Sequence, residues 1–176
     1  LLATGNEIVM PGDRIGPNQI VSSNGLALSS FIAAEGGHAI DLGISPDSRD
    51  ALKAMAAGAR GADMLVTTGG ASVGDHDIVQ SVLGEVGLEL DFWRIAMRPG
   101  KPLIFGHIAE TPILGLPGNP VSATVCALIY LGPAIRSMLG FSDSLTPMTS
   151  AILGCDLAAN DERQDYLRSR LETSEN

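Results

Sequence analysis

A chain of 176 residues, 45% hydrophobic and 18% charged, is long enough for one well-buried core and the start of a second unit. Its formal charge of −9 repels polyanions at long range, which excludes a general nucleic-acid-binding surface and leaves local binding of small anions open. The longest apolar run, Val121 to Leu131, falls short of the ~20 residues a membrane-spanning helix needs and carries Ser122 and Thr124, so no membrane span is expected.

Leu1-Leu2-Ala3-Thr4-Gly5 has neither an initiator Met nor a charged leader and reads as a strand entered midway, as in a longer protein trimmed at both ends. Thr4-Gly5-Asn6-Glu7 and Pro11-Gly12-Asp13 then turn it into a loop, which puts the first polar motif at a strand end. Leu28 and Ile32 at helical spacing, with Ser22 before and Gly36-Gly37 after, predict a helix from 22 to 35. His38 to Ile44 is a short strand, and Ser45-Pro46-Asp47 caps a second helix that runs to about Arg60 with Leu52, Met55, Ala56 and Ala59 on one face.

Asp63 to Thr67 reads as a buried strand that ends in Thr68-Gly69-Gly70. Asp77 to Val86 is helical, and the alternating Leu88, Leu90 and Phe92 predict a strand with one buried face. Strands over Leu103 to Gly106 and Pro112 to Leu116 follow, the second running through Pro117-Gly118-Asn119-Pro120 into a long helix that ends near Gly140. The alternation β-α-β-α-β-α-β-β-β-α is that of a three-layer α/β fold, a mostly parallel sheet with helices on both faces. Residues 1–140 form this domain, the Ser/Thr/Pro-rich 141–149 is a linker, and 150–176 is the truncated beginning of a C-terminal β domain, its first hairpin turning at Asn160-Asp161-Glu162-Arg163. Cys126 and Cys155 lie in no metal-ligand spacing and suit a reducing compartment.

Ligands of such sheets collect beyond the carboxyl ends of the strands, where three polar turns follow strands here. In Thr67-Thr68-Gly69-Gly70-Ala71-Ser72-Val73-Gly74-Asp75-His76-Asp77 the glycines admit close backbone approach, the hydroxyls of Thr68 and Ser72 can donate to a phosphate, and Asp75 and Asp77 can hold a hard cation such as Mg²⁺. Asp77 serves equally as an N-cap, and Gly-Gly as a plain turn. In Gly115-Leu116-Pro117-Gly118-Asn119-Pro120-Val121-Ser122 the amides at the helix start either form an anion site or are simply capped by Asn119. The third turn, Arg94 to Pro102, gathers Arg94, Arg98 and Lys101, three of only eleven basic side chains, and reads as an anion-attracting bend or as a solvated charged turn. Glu7 and Asp47, after the first and second strands, face the same crevice in this topology, or Asp47 only complements a helix dipole.

These segments together, in order over residues 1–140, resemble MoeA-type molybdopterin molybdenumtransferases, including the corresponding domain of gephyrin, with Leu157 to Tyr166 resembling the family's passage into its C-terminal β domain. The resemblance implies a cytoplasmic step of molybdenum cofactor synthesis, in which adenylylated molybdopterin and molybdate bind with Mg²⁺, AMP is released and molybdenum enters the dithiolene. It implies a homodimer in the full-length protein; charge and the short apolar run leave neither nucleic acid nor membrane expected as partner. By position it makes Asp77, Asp47 and Glu7 catalytic, and Asp77 and Asp75 ligands of the metal. It makes Thr4, Gly5, Thr68, Gly69, Gly70, Ser72, Gly74, Asp75, Arg98, Lys101, Pro117, Gly118, Asn119, Pro120 and Ser122 substrate-binding. Two other readings stand beside it: a molybdopterin adenylyltransferase, which shares the fold and the Gly-Gly loop, and a non-catalytic scaffold domain like that of gephyrin.

Overall fold

The structure, a computed structural model, describes residues 1–46, 48, 50, 53, 57–69, 84, 85 and 87–173. Asp47, most of the helix expected over 46–60, and the stretch that carries Gly70, Ser72, Gly74, Asp75 and Asp77 lie outside the described residues.

The described elements in chain order are β1 (Leu2–Thr4), β2 (Ile8–Val9), β3 (Ile20–Val21), α1 (Asn24–Ala34), β4 (Ile44–Ser45), β5 (Leu65–Thr68), β6 (Leu88–Trp93), β7 (Met97–Arg98), β8 (Ile104–Ile108), β9 (Thr111–Leu116), α2 (Pro120–Cys126), a π-helical turn (Ala127–Leu131), α3 (Gly132–Met138) and β10 (Gln164–Asp165). The main sheet has the order β4-β1-β5-β9-β8-β6. β4, β1, β5 and β9 run parallel, and β8 and β6 are antiparallel additions at one edge. The β8–β9 hairpin follows from its two-residue connection, Ala109-Glu110, with Ala109 at φ +50° and Ile108 paired to Thr111.

β1 and β5 are buried at every residue, as central strands of a sheet covered on both faces must be. Successive residues point to opposite faces, and the core divides accordingly. Val66, Leu114 and Leu116 pack with Leu28 and Ile32 of α1 and with Ala123, Cys126, Ala127, Leu131 and Ile135 of the long helix. Leu2, Leu65 and Ile113 pack on the other side against Ala59. The α/β reading of the periodicities is therefore what the chain adopts.

In β6 the expected alternation of Leu88, Leu90 and Phe92 breaks at a register shift after Leu90 that leaves Phe92 exposed, and three other elements also differ from expectation. The strand expected over 38–44 shrinks to Ile44–Ser45, because Gly43 at φ +81° interrupts the extended path, although Leu42 and Gly43 already bond to Leu1 and Ala3. The long helix is continuous from Pro120 to Met138 but widens to a π turn at 127–131, since Pro133 lacks the N–H that an α turn would give to the Ile129 carbonyl. At 19 residues and mean hydropathy 1.4 this helix meets the length and composition of a membrane-crossing one, more than the apolar run 121–131 suggested; here its core-facing residues are buried against the sheet. Finally, the tail forms no hairpin among the described residues. Arg163 N–H closes instead onto Asp161, and Gln164–Asp165 pairs in parallel with β7.

Candidate functional site

β1 sends the chain towards β4 on one side, whereas β5 lies on the other side of β1, so the strand order reverses between β1 and β5. Loops that leave such a pair diverge to opposite faces and open a crevice at their carboxyl ends. The register puts Thr4, Ser45, Thr68 and Leu116 along that edge. An open hollow of about 480 Å³ lies there, lined by Thr4 and Glu7 after β1, Thr68 and Gly69 after β5, Pro117 to Pro120 and Ser122 after β9, Ile8, Ile20 to Asn24, and Pro102.

Its floor is close-packed backbone. Gly69 has φ +87°, and a Cβ there would run into the Thr4 carbonyl oxygen; a Cβ on Gly118 would lie 3.3 Å from the Gly69 Cα. Only glycine lets the three strand ends approach this closely. The Gly69 amide donates to the Leu116 carbonyl (3.3 Å), and the Thr4 hydroxyl to the Thr68 carbonyl (3.4 Å). Asn24, buried at the start of α1, donates from Nδ2 to the Gly118 carbonyl (2.9 Å) and ties that helix to the double-proline loop. Gly5, at φ +140°, lies under the exposed Glu7 carboxylate, which a side chain at Gly5 would displace.

Of the sequence-predicted residues, the structure brings together Thr4, Glu7, Thr68, Gly69, Pro117, Gly118, Asn119, Pro120 and Ser122 on the hollow, with Gly5 adjoining beneath Glu7. Two expectations change. The start of α2 is not a set of free amides: Pro120 has no N–H, and Asn119 Oδ1 accepts from the amides of Val121 (3.0 Å) and Ser122 (3.2 Å). The capped-helix reading is the one the geometry supports. Nor does the basic bend line the hollow with cations. Arg98 Nη2 donates to Asp165 Oδ2 at 2.5 Å, with Asp161 at 3.8 Å, and this partner raises its pKa; Arg94 stacks over Trp93 at 3.9 Å. Lys101 is exposed, and from this bend it is Pro102 that reaches the wall. Glu7 is the lone charged side chain among the described lining residues, so an anion there would be met by hydroxyls and other neutral dipoles and not by a lining cation.

Sequence reasoning missed the wall formed by Ile8, Ile20, Val21 and Asn24. β2 and β3 are two-residue strands without readable periodicity, and Asn24 meets a residue 94 positions away. Among the described residues no group of three or more His, Cys, Asp or Glu side chains is disposed to hold a metal. The hollow's donors are nevertheless all oxygen, with one carboxylate, which suits a hard cation shared with a phosphate rather than one caged by protein.

The sequence and the fold have counterparts. A family described as "Probable molybdopterin binding domain" matches residues 1–137. The molybdopterin molybdenumtransferase of Haemophilus influenzae is 36% identical over 170 residues, 96% of this chain and 42% of its own length. The crystal structure of the molybdopterin biosynthesis moea protein from Pyrococcus horikosii superposes with a TM-score of 0.71 at 39% identity, covering 79% of this chain and 34% of that one. The molybdopterin biosynthesis enzyme MoaB of Thermus theromophilus, at TM-score 0.55 and 20% identity over 80% of this chain and 94% of its own, shares the fold. The chain thus spans less than half the length of the curated relatives it matches, and over residues 1–137 it belongs to the molybdopterin-binding domain family that its four motifs resemble.

Proposed function

We propose that this chain is the substrate-binding domain of a molybdopterin molybdenumtransferase, which inserts molybdenum from molybdate into adenylylated molybdopterin and releases AMP. The observation that carries the reading is the glycine-floored hollow at the sheet's switch point, where Thr4, Gly69 and Gly118 pack backbone on backbone beside the hydroxyls of Thr68 and Ser122. Such a surface suits a phosphate approached by dipoles, and the apolar wall of Ile8, Ile20 and Pro117 suits a flat ring beside it. The molybdenumtransferase name of the relatives at 31–36% identity favours this over adenylyl transfer, since the likeness to MoaB speaks to fold alone.

Within that reading Glu7 is the described carboxylate that would help hold Mg²⁺ against the substrate phosphate, together with Asp75 and Asp77. Asp77 and Asp47 act in molybdate handling and hydrolysis, while Lys101 adds cationic attraction; Arg98, held by Asp165, supports the bend that carries it. When bound, Mg²⁺ supplies charge neutralisation at the phosphate. The full-length protein is a homodimer that works in the cytoplasm without nucleic acid or membrane, in keeping with two free cysteines and a net charge of −9.

The test is calorimetric titration of the chain with AMP and with molybdopterin, and an insertion assay on the full-length protein. Saturable one-to-one binding that weakens with salt and in Lys101→Ala is expected, and Asp77→Asn abolishes Mg²⁺-dependent insertion with folding intact. No binding of either ligand, or undiminished insertion by Asp77→Asn, contradicts the reading.

A further inference from the structure

The bend from Arg94 to Pro102 is pinned from two sides. Its own bonds fold it back, with the Lys101 carbonyl accepting from the amides of Ile95 (3.0 Å) and Leu103 (3.1 Å) and the Leu103 carbonyl accepting from Arg94 (3.0 Å). From outside comes the tail, remote in sequence: Gln164 N–H donates to the Ala96 carbonyl (2.9 Å) and Tyr166 N–H to the Arg98 carbonyl (2.8 Å). Between those two bonds sits Asp165, its side chain only 10% exposed. One of its oxygens takes the Arg98 guanidinium at 2.5 Å, and the other, Oδ1, is buried with no hydrogen-bond partner.

A largely buried carboxylate bonded directly to one guanidinium, with Arg163 as a further positive charge nearby, holds that guanidinium firmly, because parting them strips a charge out of water of its hydrogen-bonded partner. Arg98 is therefore fixed, and with it the strand β7, whose bend ends in Pro102 on the wall of the hollow one residue after Lys101. The tail strand and the hollow are joined through this bend.

We propose that Asp165 is a positioning residue for the hollow: through Arg98 it holds the 94–102 bend so that Lys101 and Pro102 stand at the rim. The inference rests on the reading of the hollow as the nucleotide-phosphate site. Asp165 touches no substrate, so the region that looks like the beginning of another unit works as part of this one.

The experiment uses the 176-residue chain and its Asp165→Asn, Asp165→Glu and Gln164→Pro variants, with AMP titration and amide hydrogen exchange of the 94–102 peptide as readouts and thermal melting as the control on folding. Asp165→Asn is expected to weaken AMP binding by about fivefold and to speed exchange across 94–102 by about tenfold. Asp165→Glu, which keeps the charge, restores most of both. Gln164→Pro removes the bond to Ala96 at an exposed residue and gives the same loss, so it decides the matter where Asp165→Asn does not fold. AMP affinity that is unchanged or tighter in Asp165→Asn overturns the proposal, since a released Arg98 would then be serving the ligand itself or the bend would not matter. A wild-type chain that binds no AMP contradicts the proposed function instead, and the exchange rates then decide the clamp alone: unaltered exchange over 94–102 overturns it.

Discussion

Replacing Gly69 by alanine puts a Cβ against the Thr4 carbonyl oxygen at a backbone φ of +87°. Two terms add. An L-residue in the left-handed region costs about 1–2 kcal/mol, partly offset by the lower entropy of the unfolded alanine chain, so about 1 kcal/mol remains. Forcing a methyl into close-packed backbone costs a further 1–3 kcal/mol or so, for a total of about 2–4 kcal/mol. Gly140, at φ +85° with nothing within 4 Å of its Cβ position, isolates the first term. With a urea slope of about 2 kcal/mol/M, the unfolding midpoint falls by about 0.5 M in Gly140→Ala and by about 1–2 M in Gly69→Ala. The Gly69 variant, whose backbone must part from Thr4 to admit the methyl, also loses AMP binding, while the Gly140 variant keeps it. Equal midpoints for the two variants, or a Gly69→Ala chain that binds as the wild type does, would refute the claim that close backbone approach builds the hollow.

Asn119→Ala removes the acceptor of the Val121 and Ser122 amides and destabilises the chain by about 1 kcal/mol in urea unfolding; Asn119→Asp keeps the cap, and a loss as large as alanine's would contradict the capping geometry. Cys126 is fully buried, and burial pushes its thiol up to about 11, so iodoacetamide at pH 8 should label exposed Cys155 and spare Cys126 until the chain is unfolded, as peptide mass spectrometry can check. The Arg163 side chain and amide hold the Asp161 carboxyl down at about 2, against an ordinary 3.8. A depressed carboxylate contributes order above its unfolded value, so the 161–163 turn is expected to stay ordered above pH 4 and to loosen as pH falls from 4 towards 2, read by amide exchange at Arg163.

The layers of this fold were readable because the strands that build them are uniform. Leu65 to Thr68 is continuously apolar or hydroxylated and buried at every position, and Ile113 and Leu114 alternate between the two cores. The glycine turn was readable for the same kind of reason: Thr-Thr-Gly-Gly after a buried strand leaves few conformations open, and Gly69 takes the left-handed one. What escaped depends on partners remote in sequence. Nothing near Arg98 marks it as belonging to Asp165, and a cation cluster in an acidic chain looks alike whether it waits for a ligand or is already paired. The amides of Val121 and Ser122 are likewise free or taken according to one rotamer of Asn119, which spacing does not specify. The wall from Ile20 to Asn24 comes from two-residue strands and a helix start that acquire meaning only once Asn24 reaches the Gly118 carbonyl.

The central claim is that a substrate phosphate is gripped where β1, β5 and β9 end. A crystal structure of the chain soaked with AMP and molybdate tests it most directly. The phosphate is expected against the Thr68–Gly69 turn, within hydrogen-bond reach of Thr68 or Ser122 and beside Gly118; AMP bound anywhere else on the surface, with that turn bare, would contradict it.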